Sequence, residues 1–198
     1  ATGISTEEIL FYPSQIIDKR SRKQLTSLLE RRLKREPIHY LLKEREFWSM
    51  NFLVSPATLI PRPETETLVQ TVICNAVESY NSKSLSILDL GTGSGCILLS
   101  LLSELSLAQG IGVDICFDAL SIAQINAERF KLSERACFVQ GDWHACLGSK
   151  YDIIVANPPY IQSERIPILE PEVNIYEPVI ALDGGSDGLS AYREICAR

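Results

Sequence analysis

The chain has 198 residues, and its 45% hydrophobic and 22% charged content is typical of a globular protein with one domain and a small appendage. Residues 1–46 carry a net charge of +3 and residues 47–198 carry −9, so the larger part has the wrong sign for binding duplex nucleic acid. We expect neither a membrane span nor a zinc site, because no apolar run approaches ~18 residues and the six cysteines form no C-x-x-C pair.

The first 43 residues predict a small helical domain. Ser5 is followed three residues later by an acid, the spacing of a capping box, and residues 21–35 have the apolar period of a helix that Pro37 brings to an end. We interpret the basic end of this helix, residues 31–35, as a solvated terminus. The leucines along one side of the helix are Leu25, Leu28, Leu29 and Leu33.

Residues 44–62 predict a β-hairpin linker. Short strands at 46–48 and 51–54 flank a turn at Ser49-Met50. The two prolines of Pro61-Arg62-Pro63 make the next segment stiff and extended, and the second of them suits the start of a helix. The apolar side of that helix is formed by Leu68, Val69, Val72, Ile73, Ala76 and Val77.

Residues 63–198 alternate between short apolar strands and helices. This alternation predicts a Rossmann-like α/β domain built on a parallel sheet. The predicted strands are 84–90, a second one that ends at 112–114, 136–139 and 151–156, and the predicted helices between them are 96–106 and 117–130.

A glycine-rich turn follows the first strand of this domain. It consists of Gly91, Thr92, Gly93, Ser94 and Gly95, and its glycines let the backbone approach a ligand closely. Asp114 lies 23 residues after Gly91, at the end of the next strand, where a carboxylate can accept hydrogen bonds from ribose hydroxyls. The tight G-x-G-x-G spacing favours S-adenosylmethionine over a dinucleotide.

Two further residues fit the same cofactor. Asp142 and Trp143 follow the third strand, where an adenine ring would need an acceptor and an apolar neighbour. The plainer alternatives are that Asp114 only ends a strand and that Trp143 belongs to the core.

The fourth strand runs into Asn157-Pro158-Pro159-Tyr160. The Asn157 side-chain oxygen and the Pro158 carbonyl are two rigid acceptors that can hold both hydrogens of a planar NH2 group, while Tyr160 offers a ring for stacking. We therefore predict catalytic roles for these three residues in transfer of a methyl group to an amide or exocyclic amine nitrogen, with no general base in the motif. The alternative is an ordinary strand-ending turn.

These motifs together closely resemble the HemK/PrmC family, bacterial enzymes that methylate a glutamine in peptide chain release factors. The resemblance extends from about residue 20 to the end of the chain. The matching stretches are 36–38, 45–49, 54–66 with its Pro-Arg-Pro-Glu-Thr sequence, 89–95 and 157–160.

The resemblance implies S-adenosylmethionine as the cofactor, S-adenosylhomocysteine as its product and methylation of the N5 amide nitrogen of a Gly-Gly-Gln glutamine. It also implies a cytoplasmic enzyme whose partner is a release factor, with no direct nucleic acid or membrane contact. It places cofactor contacts at Gly91, Thr92, Gly93, Ser94, Gly95, Asp114, Trp143 and Asn157, with Phe47, Pro61 and Arg62 near them, and substrate contacts at Asn157, Pro158, Pro159 and Tyr160.

The chain departs from the family in length. The family's helical domain is longer than residues 1–43 and further strands follow the position of Arg198, so we expect this chain to lack parts at both ends. Three alternatives stay open: glutamine methylation of a ribosomal protein, adenine-N6 methylation of DNA by enzymes that share the four-residue corner, and a binding module without activity.

Overall fold

A four-stranded parallel sheet carries the functional site, and four α-helices and a hairpin precede it in the described chain. The computed structural model describes residues 4–12, 14–80, 84–145 and 148–197. Its helices are α1 (Thr6–Phe11), α2 (Lys19–Leu33), α3 (Ile38–Leu42), α4 (Glu66–Tyr80), α5 (Cys96–Glu104), α6 (Phe117–Arg129), α7 (Pro171–Asn174) and α8 (Ser190–Cys196). Its strands are β1 (Glu44–Phe47), β2 (Met50–Leu53), β3 (Ser86–Leu90), β4 (Gln109–Asp114), β5 (Ala136–Gln140) and β6 (Ile153–Ala156). No helix within these ranges has the length and apolar character that a membrane crossing requires.

Local capping explains where the first helices begin. The predicted capping box is confirmed, since the Ser5 hydroxyl accepts from the Glu8 amide at 3.1 Å and the Glu8 carboxylate accepts from the Ser5 amide at 2.8 Å. Helix α2 begins two residues earlier than the apolar period predicts, because the Asp18 carboxylate accepts from the amides two and three residues further on.

The basic end of α2 is partly exposed, as predicted, but it also forms ion pairs. Arg32 and Arg35 reach Glu172 at 2.9 and 2.6 Å, and Arg35 also pairs with Glu170 at 2.7 Å. The leucine stripe is only partly covered within the described chain, since Leu25 and Leu28 are half-buried whereas Leu29 and Leu33 are exposed. Ion pairs therefore connect the end of α2 to the segment around residues 170–172.

The predicted hairpin forms, but its turn lies one residue earlier than expected. Strands β1 and β2 pair antiparallel from Glu44 opposite Leu53 to Phe47 opposite Met50, so Trp48 and Ser49 form the turn. Both turn residues have positive φ angles, 51° and 56°, which tryptophan rarely adopts. The Trp48 indole donates to Glu104 at 2.8 Å, which ties the turn to α5.

The four sheet strands have the order β5-β4-β3-β6 and all neighbouring pairs are parallel. This confirms the predicted Rossmann-like α/β class. Helices α4, α5 and α6 cover one face, where the apolar side of α4 packs as predicted; the side chain of Val77 lies outside the described part of the chain. The fully buried residues of this main core include Phe47, Phe52, Val69, Ile87, Leu98, Leu99, Leu101 and Leu102.

The other face of the sheet carries a smaller cluster. Leu88, Leu90 and Val113 are buried there beneath Trp143 and Ile195, the latter from α8. Coverage of this face is thin, because Ile154 on β6 is still 54% exposed.

A second core joins the N-terminal helices to the chain that follows the sheet. Tyr40 of α3 packs with Val54 and Ile60, and Tyr176 packs against the three of them. The Tyr176 hydroxyl donates to the Lys34 carbonyl at 2.7 Å. The segment around α7 therefore contacts both the N-terminal helices and the residues that follow the hairpin.

Candidate functional site

The carboxyl ends of all four sheet strands open on one cavity. It is lined by residues from the segments 57–65, 91–97, 113–116, 141–143 and 178–181, together with Asn157 and Pro159. Four of these segments follow directly from β3, β4, β5 and β6, which is the edge at which open α/β sheets bind ligands. Of the residues predicted from sequence, Gly91, Thr92, Gly93, Ser94, Asp114, Trp143, Asn157, Pro159, Pro61 and Arg62 line it.

The glycine turn is fixed by hydrogen bonds at both ends. The amides of Gly91 and Thr92 both donate to the Val113 carbonyl at 2.9 Å, and the Gly95 amide donates to the Thr92 carbonyl at 2.8 Å. Gly93 has a φ of 56° and no atom near the place where a Cβ would stand, so its backbone is open to a ligand. Gly95 does not line the cavity; it lets α5 approach α6, since a Cβ there would lie 3.2 Å from that of Ala123.

Asp114, the last residue of β4, connects this strand to the glycine turn. Its Oδ2 accepts from the Gly93 amide at 2.8 Å and its Oδ1 accepts from the Cys116 amide at 2.9 Å. Each carboxylate oxygen has a second lone pair, so both can still accept from a ribose hydroxyl. Asp114 therefore orders the turn and also presents negative charge to the cavity.

A buried acid lies behind the turn. Asp89, at 0% exposure, accepts from the Thr92 hydroxyl at 2.7 Å through Oδ2, whereas Oδ1 makes no hydrogen bond of normal length and angle within the described chain. The pKa of Asp89 is raised to about 7, mainly by burial and in part by the nearby Asp114 charge, while hydrogen bonds from Thr92 and the Leu98 amide oppose the shift. Burial also raises the pKa of the Cys96 thiol to about 12, so this cavity cysteine stays protonated.

The aromatic wall of the cavity depends on a glycine. The Trp143 ring would lie 3.2 Å from a Cβ at position 91, so glycine at that position lets the ring pack against the turn. Trp143 also packs on the cluster of Leu88, Leu90 and Val113, so it is both a core residue and a lining residue. Asp142 lines the cavity beside it and accepts from the His144 amide at 2.9 Å.

Asn157 follows β6 directly and lines the cavity. Its side chain makes no hydrogen bond to any residue that the structure describes, so its oxygen and its NH2 group can both bind a ligand. Pro158 is buried and Tyr160 is 59% exposed, and neither side chain lines the cavity. The corner therefore spans from the cavity at Asn157 to the surface at Tyr160.

The backbone of the corner is held by a turn that the sequence analysis missed. The Ile161 amide donates to the Leu182 carbonyl at 3.0 Å, and the Gly184 amide donates back to the Ile161 carbonyl at 2.8 Å. A Cβ on Gly188, which has a φ of 79°, would lie 2.4 Å from the Tyr160 carbonyl oxygen. The run Asp-Gly-Gly-Ser-Asp-Gly is the sequence signal for this close approach.

Asn126, like Gly188, has a role that the sequence did not predict. It is fully buried on α6, where its Nδ2 donates to the carbonyls of Ser94 at 2.9 Å and Leu53 at 3.0 Å and its Oδ1 accepts from the Leu53 amide at 2.8 Å. It thus joins the glycine turn to the hairpin. An amide on the apolar side of a helix is the signal that could have identified it.

Phe47, like Gly95, is a predicted cofactor neighbour that does not line the cavity. It is 1% exposed, packs edge-to-face on Phe52 with 6.2 Å between ring centroids, and is not among the lining residues. Alternate side chains of a strand point to opposite faces, and the Phe47 side chain points into the main core, so its role here is packing. Arg62, by contrast, lines the cavity and pairs with Glu177 at 2.5 Å.

The chain is similar to known proteins over nearly its whole length. Residues 1–42 match the PrmC N-terminal domain and residues 81–195 match a methyltransferase domain. The release factor glutamine methyltransferase of Caulobacter vibrioides is 44% identical over 196 residues, covering 98% of this chain and 67% of that protein. The chain belongs to the release factor glutamine methyltransferase family. The family member from Agrobacterium fabrum is 43% identical over 197 residues, covering 99% of this chain and 68% of that protein.

Solved structures support the fold of this family member. The hMettl16 catalytic domain superposes with a TM-score of 0.62 at 18% identity, covering 81% of this chain and 59% of that chain. A SAM-dependent methyltransferase from Agrobacterium tumefaciens has a TM-score of 0.51 at 20% identity, covering 78% of this chain and 47% of that one. At such identities the likeness concerns the fold alone.

Proposed function

We propose that this chain transfers a methyl group from S-adenosylmethionine to the N5 amide nitrogen of a glutamine in a peptide chain release factor. The observation that carries the proposal is that Asn157, whose side-chain amide is free of other described residues, lines the same cavity as the glycine turn and Asp114. Family membership supports the choice of a release factor as the substrate. We expect a protein and not a nucleic acid as the partner, because the body of the chain is acidic. We place the reaction in the cytoplasm, as the family resemblance implies.

The residues present fit the cofactor. The cavity offers an open glycine at position 93, a carboxylate at Asp114 and the buried Ser94 hydroxyl, which makes no hydrogen bond of normal length and angle in the described chain. Acidic groups suit a cationic ligand. Bound there, S-adenosylmethionine supplies an electrophilic methyl group on a positively charged sulfur. We assign Gly91–Gly95 and Asp114 to holding it and Trp143 to its adenine.

Asn157 and Pro158 orient and polarise the nucleophile. An amide nitrogen is a poor nucleophile, because its lone pair is delocalised into the carbonyl. The Asn157 side-chain oxygen and the Pro158 carbonyl each accept one hydrogen of the glutamine NH2 group, which fixes the direction of attack and stabilises positive charge as it develops on nitrogen. Tyr160, exposed at the outer end of the corner, stacks on the planar amide.

The direct experiment follows label transfer from S-adenosylmethionine carrying a tritiated methyl group to a release factor, a ribosomal protein and DNA. We expect the release factor alone to be labelled and Asn157→Ala to lower the single-turnover rate by ~10²–10³, the usual loss when one preorganised partner is removed. Cofactor affinity should fall much less, because the loss concerns mainly the transition state.

Asn51→Ala, an exposed asparagine of β2, is the matched control and should turn over normally. Labelling of DNA or of a ribosomal protein in place of the release factor would refute the substrate assignment. Near-normal turnover by Asn157→Ala together with loss of activity in Tyr160→Ala would refute the two-acceptor mechanism and leave a stacking platform.

A further inference from the structure

Two walls of the cavity come from distant parts of the chain. One consists of residues from 57 to 62, which follow the hairpin, and the other of Pro178, Ile180 and Ala181, which follow α7. Glu177 immediately precedes the second wall, and its side chain is only 1% exposed. A buried carboxylate at this junction requires partners, because an unpaired buried charge is strongly unfavourable.

Both hydrogen-bond partners that the Glu177 carboxylate has in the described chain belong to the first wall. Its Oε1 accepts from Arg62 Nη2 at 2.5 Å, and its Oε2 accepts from the Ile60 amide at 3.1 Å. One carboxylate therefore accepts hydrogen bonds from both the backbone and the cationic side chain of a segment more than a hundred residues away. The geometry joins the two walls through a single side chain.

Arg62 is the part of this arrangement that a ligand can meet. Its side chain is 35% exposed and lines the cavity, and Nη2 is the only one of its guanidinium nitrogens with a hydrogen bond to a described residue. An unpaired guanidinium at this place would repel a sulfonium cofactor, whereas the Glu177 charge beside it neutralises the wall. The pairing also fixes the direction in which the remaining N–H donors point.

From these contacts we infer that Glu177 is a positioning residue, which holds Arg62 and the 57–62 wall in the conformation that binds the cofactor. The inference rests on the proposed function only in taking S-adenosylmethionine as the ligand. The fold does not depend on this pair alone, because Tyr40 donates to the Thr58 carbonyl at 2.7 Å and the second core packs around Ile60. A variant of the pair can therefore lose affinity while staying folded.

The test measures the affinity of the 198-residue chain for S-adenosylmethionine and S-adenosylhomocysteine by titration calorimetry in Glu177→Gln, Arg62→Met and the double variant. We expect each single variant to bind at least ten-fold more weakly and the double variant to be no more than two- to three-fold weaker than the worse single variant, since both changes break one pair. The control is Glu172→Gln, which breaks the more exposed pairs of α2 with the same segment and should bind within two-fold of the unaltered chain.

Affinity of Glu177→Gln within two-fold of the unaltered chain, or losses that multiply in the double variant, would overturn the inference. If Glu177→Gln does not fold, Arg62→Lys decides: it should regain part of the affinity lost in Arg62→Met, since an ammonium still pairs with Glu177, and no regain would overturn the inference. These readouts do not involve a methyl acceptor. A chain that binds the cofactor but leaves the release factor unlabelled would therefore refute the proposed function and not the positioning role.

Discussion

The buried environment of Asp89 changes its pKa and thereby makes the stability of the chain depend on pH. Its carboxyl group is fully buried behind the glycine turn with one oxygen lacking a normal hydrogen bond, and burial raises its pKa from 3.8 to about 7. The folded state therefore holds a proton that the unfolded state releases between about pH 4 and pH 7. The stability that this group contributes is fully present below pH 4 and is lost as the pH rises through 7.

Asp89→Asn should remove this dependence, because asparagine stands in for the protonated acid at every pH. The free energy of unfolding of the variant, relative to the unaltered chain, should increase from pH 4 to pH 7 by up to about 4 kcal/mol and then level off. Urea unfolding at a series of pH values measures it, with Asp142→Asn, an exposed acid that lines the cavity, followed in parallel. A constant difference across this range would show that Asp89 does not titrate as the structure implies.

At the scale of elements, the turn at residues 182–190 supports the catalytic corner. Its backbone pairs with Ile161 and passes so close to Tyr160 that a Cβ at Gly188 would stand 2.4 Å from the Tyr160 carbonyl oxygen. A side chain there also meets a left-handed φ of 79°. The close contact and the left-handed φ would both destabilise the segment that holds Pro158 and Tyr160 in place.

Gly188→Ala should therefore destabilise the chain by ~2–4 kcal/mol, combining about 1–2 kcal/mol for the left-handed backbone with a similar amount for overpacking. The methyl-transfer rate of the folded fraction should fall as well, because the corner moves. Gly148→Ala is the control, since no described atom other than those of its chain neighbours lies within 4 Å of its added Cβ. Thermal unfolding and single-turnover rates that match between the two variants would contradict the supporting role.

The elements show how far sequence reasoning extends. The alternation of strands and helices predicted the sheet helices and the four sheet strands to within two residues at their ends, because hydrophobic period and glycine placement are local signals. The hairpin turn was placed one residue late, since the positive φ of Trp48 depends on contacts of its amide and indole with Glu66 and Glu104, far away in sequence. The start of α2 was missed although Asp18 carried a local cap signal.

The site residues likewise divide into those that could be predicted from local sequence signals and those that could not. The glycine turn, Asp114, Trp143 and Asn157 could be predicted to meet because each follows a parallel strand, and such ends share one edge of the sheet. Glu177 and Gly188 could not, since their roles arise from how the chain after β6 folds back on the cavity and the corner. Phe47 was misplaced because similarity of a segment does not say which side of a strand faces the ligand.

For the whole molecule, the uneven charge found in the sequence becomes an internal contact. The basic end of α2 meets acids of the segment around α7, and the same segment sends Glu177 inward to the cavity wall. The exposed pairs each contribute little to stability. Their position nevertheless links the N-terminal helices, the second core and the cavity into one continuous structure.

The two faces of the sheet are covered unequally, and this imbalance gives a prediction for the molecule as a whole. Helices α4, α5 and α6 bury one face, whereas on the other Ile154 of β6 is 54% exposed at an edge strand that pairs only with β3 in the described chain. Exposed apolar edges promote association between copies.

Ile154→Lys should shift self-association of the 198-residue chain to at least ten-fold higher concentration, and it should change the free energy of unfolding by no more than ~1 kcal/mol, because a lysine stem can cover the same surface. Sedimentation velocity over a range of concentrations measures the shift. Ile125→Lys, on α6 and 42% exposed, alters an apolar residue on the well-covered side and should leave association unchanged. An equal effect of both substitutions would mean that net charge governs association, and no effect of Ile154→Lys would mean that this face does not take part.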